Sequence, residues 1–165
     1  MNPDALGNLL DYHYWARDGV LDAAARLTPE EFRRDLGGSF GSVRDTLAHV
    51  LSSEWVWCSR WNGVSPPTHL PAADFETAED LRRRWHEQEA RVRGFVERLG
   101  AEGADRVIGY THFDGEPRRA SFRHMLQHVV NHASYHRGQV TTKLRQLGAD
   151  PSRSQDLIAF RLERG

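Results

Sequence analysis

Cysteine is nearly absent from this chain: Cys58 is the only one among 165 residues. A single thiol forms no internal disulfide, which fits a reducing compartment, and a cytoplasmic location is expected. No run approaches the ~20 consecutive apolar residues of a membrane-spanning helix. Residues 1–6 show no basic region ahead of an apolar stretch, so neither a membrane partner nor a secretory leader is expected. Charge of one sign is lacking too. Lysine and arginine number 22 against 23 acidic residues, a net charge of −1, and a nucleic-acid partner held by a broad basic surface is not expected. There is no Gly-x-Gly-x-x-Gly, no Walker loop and no Gly-x-Ser-x-Gly, and no Glu is followed three residues later by His as in di-iron bundles.

What the chain does hold is helical periodicity and histidine. Its length and 39% hydrophobic content suit one domain over residues 1–165. Apolar residues recur at three- and four-residue steps over 3–27, with Thr28-Pro29 as a stop. Residues 30–40 read as a connector containing Gly37-Gly38. Ser42 is the expected N-cap of a second helix over 43–61, and 63–71 is a proline-rich loop. Thr77-Ala78-Glu79-Asp80 opens a third helix that runs to Gly100. Residues 106–113 and 117–122 read as a short hairpin turning at Asp114-Gly115. The last long helix spans 121–147, and residues 156–162 pack back as a strand or short helix. The expected fold is an all-α antiparallel four-helix bundle with a β-hairpin before its last long helix.

That last helix carries His124, His128, His132 and His136, four residues apart. Each such step turns the helix about 40° beyond a full turn, so two neighbours can share one metal ion while the whole row winds away. Measured against the stripe of Phe122, Val129, Ala133, Val140 and Leu144, His136 lies about 40° from the centre and His132 about 80°. His128 lies about 120° away and His124 nearly opposite. If two of the four face a pocket, they are His132 and His136; His124 is expected in solvent. A third ligand is needed, and the second helix offers His49 at the edge of its apolar run. An edge position can face solvent or a groove between helices.

Other residues have plainer readings. Glu54 falls within the second helix's apolar stripe, an expensive place for an unpaired carboxylate. It is a general base, a support for a metal or, the favoured reading, the partner of a buried arginine. Tyr110 is the other candidate base. The five tryptophans read as core or interface residues, Arg82-Arg83-Arg84 as a solvated face, and Cys58 as buried filler.

The stretch Asn131-His132-Ala133-Ser134-Tyr135-His136-Arg137-Gly138-Gln139 resembles the signature of the DinB-like (DinB/YfiT-like) metalloenzyme family of damage-inducible bundle proteins. Residues 42–49 with Glu54-Trp55 resemble that family's second helix, and residues 11–17 its first. The resemblance implies up-down-down-up connectivity, frequent homodimers and a divalent metal on three histidines, here His49, His132 and His136, with His128 as a supporting neighbour. It also implies chemistry on a small-molecule substrate. Relatives include transferases and an isomerase that use bacterial low-molecular-weight thiols such as mycothiol and bacillithiol. Three-histidine coordination favours Zn²⁺ or Ni²⁺ over Fe²⁺ or Mn²⁺. The competing expectations are a metal-dependent enzyme, a metal-stabilised or metal-sensing bundle without catalysis, and a helical dimer without metal.

Overall fold

Two of the long helices begin where a short polar side chain takes up a free amide. In this computed structural model, which describes residues 3–151 and 153–164, Ser42 accepts from the Asp45 amide at the start of α3 (Val43–Trp61). Thr77 and Asp80 form a reciprocal box at the start of α4 (Ala78–Leu99). The first helix, α1 (Pro3–Ala24), stops earlier than its periodicity suggests. Thr28-Pro29 is not simply a stop. Thr28 caps a short α2 (Pro29–Arg33) with Glu31 closing the box, so part of the expected connector is helical.

The hairpin joins β1 (Val107–Thr111) and β2 (Pro117–Ser121), paired antiparallel. Its turn falls one residue earlier than expected. The Gly115 amide bonds back to the His112 carbonyl, so Phe113-Asp114 sit at the centre and Gly115, at φ 85°, takes the left-handed position after them. Strand β2 runs straight into α5 (Phe122–Gln146). The tail forms a helix rather than a strand, α6 (Leu157–Arg164), whose buried Phe160 packs edge-on against Tyr12.

Side-chain pairs give the direction of every long helix. Asp11 meets Arg93, Arg17 meets Glu89 and Asp22 meets Arg82, so α1 and α4 are antiparallel. Glu54 meets Trp85 and Trp61 meets Phe95, so α3 and α4 are parallel. His49 meets His132 and Trp61 meets Phe122, so α3 and α5 are antiparallel. The bundle is therefore up-down-down-up. Its core includes Leu21, Leu47, Leu51, Leu81, Leu126 and Leu144, all at most 1% exposed, and each contributes about 1.5–3 kcal/mol by leaving water.

Two parallel neighbours cannot be joined by a tight turn. After α3 ends, the chain must travel back along the bundle before α4 begins, and residues 62–77 make that return. Ser52, in the middle of α3, holds this crossover: its Oγ accepts from the Leu70 amide at 2.7 Å and lies 3.0 Å from His69 Nδ1. The topology thus carries a histidine from a loop to the face of α3 that bears His49. Among the described residues, no helix is long and apolar enough to cross a membrane.

Candidate metal centre

The histidine row on α5 is graded as its winding requires. His136 is 7% exposed, His132 is half-buried, and His128 and His124 are exposed. On the facing helix, His49 is half-buried and turned into the groove between α3 and α5. The three rings converge. Centroid separations are 4.9 Å for His49–His132, 4.7 Å for His49–His136 and 4.4 Å for His132–His136. The Nε2 atoms of His49 and His132 are 3.0 Å apart, and one nitrogen from each of the three lies within 4.8 Å of the others. Two nitrogens bound to one ion at ~2.1 Å stand ~3.0–3.4 Å apart, depending on the coordination angle. The spacing already present is of that order, and the triad can hold a metal ion.

Electrostatics keep the donors available. Burial, reinforced by the neighbouring His136 and His69, lowers His49 to about 4. Burial, with His136 and His49 next in weight, lowers His132 to about 3. Both rings are neutral near pH 7 and offer lone pairs. Gln139, one turn beyond His136, accepts a hydrogen bond from its Nδ1 at 2.8 Å. That bond places the imidazole proton on Nδ1 and leaves Nε2 free to coordinate.

Three further side chains complete the surroundings. Phe40, from the loop before α3, stacks on His49 at 4.1 Å and meets His136 edge-on at 5.5 Å, forming an apolar wall. His69 lies 5.2 Å from His49. Ser52 Oγ accepts from the Leu70 amide and also lies within hydrogen-bond distance of His69 Nδ1, which ties the ring to α3. His128, the expected supporting neighbour, lies 5.9 Å from His132 and packs against Trp57, and no hydrogen bond among the described residues ties it to the triad. A cavity of about 450 Å³ lined by His128, Asn131, His132 and Tyr135 opens beside the triad.

The candidate bases lie elsewhere. Glu54 is 1% exposed, but its partners are not arginines as expected. It accepts from His13 Nε2 at 2.8 Å, Tyr14 OH at 2.9 Å and Trp85 Nε1 at 2.9 Å. The carboxylate joins α1, α3 and α4 inside the core. Burial and the Glu54 charge push the Tyr14 phenol well above its usual value, so it stays a donor. Tyr110 sits on β1 against Trp57 at 5.1 Å. In the arginine run, read as a solvated face, only Arg83 is exposed and Arg82 and Arg84 are half-buried; each has an acidic partner, Arg82 with Asp22, Arg83 with Asp80 and Arg84 with Glu87. Cys58 is buried and burial raises its thiol. Trp61 and Trp85 are buried, and Trp15, Trp55 and Trp57 are half-buried.

A long bundle whose facing helices α3 and α5 meet in three histidines defines a class of helical protein with a histidine-lined groove. Comparison with known proteins narrows it: the DinB family model matches residues 1–159, and the chain belongs to that family. It is 27% identical over 150 residues to Protein DinB of Bacillus subtilis (strain 168), covering 85% of this chain and 84% of that protein. The crystal structure of a DinB-like protein from Bacillus cereus ATCC 10987 superposes with a TM-score of 0.68, over 88% of this chain and 95% of that one. Identity there is 16%, so that likeness speaks for the fold alone.

Proposed function

We propose that this protein holds one divalent metal ion on His49, His132 and His136 and acts as a metal-dependent enzyme on a small molecule, with a low-molecular-weight thiol as co-substrate. The observation that carries the proposal is the convergence of three imidazoles, from two facing helices, on one point beside an open cavity. An all-nitrogen donor set fits Zn²⁺ or Ni²⁺ best and Fe²⁺ or Mn²⁺ less well. With three protein ligands, such an ion keeps an open position and supplies Lewis acidity to a small molecule bound there.

The remaining roles belong to the chain. His49, His132 and His136 hold the ion, and Gln139 fixes the tautomer of His136. Phe40 excludes water from one side, and His69, tied to Ser52, stands next to His49. The family resemblance supports a thiol as the nucleophile and a homodimer in the cytoplasm as the working form.

The test is depletion of a thiol by the purified protein, screened across small electrophiles with Zn²⁺, Ni²⁺, Fe²⁺ or Mn²⁺ supplied. Metal-dependent consumption that disappears in His132→Ala is the expected result. If no metal gives turnover while chelation still lowers the melting temperature, the bundle uses its metal structurally or as a sensor.

A further inference from the structure

Arg60 is a charged side chain, 3% exposed, without an anion. Its Nε and Nη2 are sealed from solvent and have no hydrogen-bond partner, and among the described residues no bond is made by Nη1 either. Instead the guanidinium lies over three rings: Trp57 at 4.8 Å, Tyr110 at 4.7 Å and Phe113 at 5.0 Å. Burial works against its charge, and the ionisable groups acting on it are Tyr110 and Arg118, with no carboxylate among them. Cation–π contacts recover part of the lost hydration but supply no acceptor for the five N–H groups of the fork. A buried cation in that position is paired in most proteins, because leaving it unpaired is costly. The core has an example nearby, since buried Arg17 is held by Asp18 and Glu89.

His49, Ser53, Val56 and Arg60 follow one another at four-, three- and four-residue steps and share one face of α3. Long helical side chains lean toward the helix N-terminus, here toward His49, and the contact of Arg60 with Trp57, three residues back, shows that lean. Two arcs of side chains join the guanidinium to the triad. One runs through Trp57 and His128 to His132, in steps of 5.2 and 5.9 Å. The other runs through Phe113 and His69 to His49, in steps of 4.9 and 5.2 Å. The cation therefore stands two side chains from the triad along either arc.

We infer that Arg60 recognises a carboxylate on the small molecule that occupies the groove beside the histidine triad, making an acid the ligand class of this site. The inference rests on the metal-site reading for the other end of that molecule. A planar fork suits a carboxylate, and a guanidinium already lacking acceptors gains the full value of a charge-assisted hydrogen bond.

The test uses the full chain loaded with Co²⁺ and two probes of equal length, mercaptohexanoate and mercaptohexanol, each titrated by its thiolate-to-cobalt absorption. The acid should bind about tenfold tighter or better, the range of a hydrogen bond to a charged group. Arg60→Met should reduce that preference to less than about twofold while cobalt stoichiometry stays unchanged. Equal affinity of the two probes in the wild type, or a preference that survives in Arg60→Met, overturns the inference. Should Arg60→Met fail to fold, Arg60→Lys decides, because it keeps the charge without the fork: a reduced preference supports the inference and an undiminished one overturns it. Hexanoate against hexanol on the metal-free protein separates this inference from the metal reading. A larger melting-temperature rise with the acid, lost in the variant, supports carboxylate recognition even where cobalt fails to bind, and equal shifts contradict it.

Discussion

His49 and His132, 83 positions apart in the chain, bring their Nε2 atoms to 3.0 Å across the groove between α3 and α5. Two neutral imidazoles at that distance share one N–H···N hydrogen bond, and a metal ion taking the place of the shared proton can be held by both. Four consequences can be measured.

The first concerns pH. Burial holds His49 near 4 and His132 near 3 in the folded chain, against about 6.5 when unfolded. The unfolded chain therefore takes up these protons first as pH falls. Stability associated with the two neutral rings is fully present above about pH 6.5 and is lost as pH drops through 4 toward 3. The metal-free protein should melt at a lower temperature at pH 4.5 than at pH 7.5. That difference should shrink in the His49→Gln/His132→Gln double variant. An undiminished difference would mean that other groups carry it.

Glu54 should matter for folding rather than for metal. Replacing it with Leu strands the buried donors of His13, Tyr14 and Trp85, which should cost about 3–5 kcal/mol in denaturant unfolding. Glu54→Gln keeps an acceptor and should cost less. Metal content of the folded Gln variant should equal that of the wild type. A loss of metal there would return Glu54 to the site.

Gln139 bears on the proposed metal site through His136. Gln139→Leu removes the acceptor that fixes the His136 tautomer, and metal affinity should fall about 10–100-fold. Competition with a chromogenic chelator reads this directly. Unchanged affinity would show that the tautomer needs no such support.

Much of this was legible before any coordinates. The winding of the α5 row separates His136 and His132 from His128 and His124, because a helix surface is a matter of angle alone. The partner of Glu54 was not, because that depends on which helices meet, and His13, Tyr14 and Trp85 lie on two other elements. His49 stood at an edge position that periodicity leaves open, and family resemblance singled it out. His69 and Phe40 lie in segments without a period, so nothing local assigns them a face. Gln139 was the recoverable omission: it sits one turn beyond His136, where a helix places neighbours together. Thr28-Pro29-Glu30-Glu31 reads as both a stop and a start, and the chain uses it as both.

The most direct measurement is the metal content of the purified chain by elemental analysis, beside that of the His132→Ala/His136→Ala double variant. The triad assignment predicts one divalent ion per wild-type chain, lost from a double variant that remains folded. Equal metal content in the two proteins would contradict it.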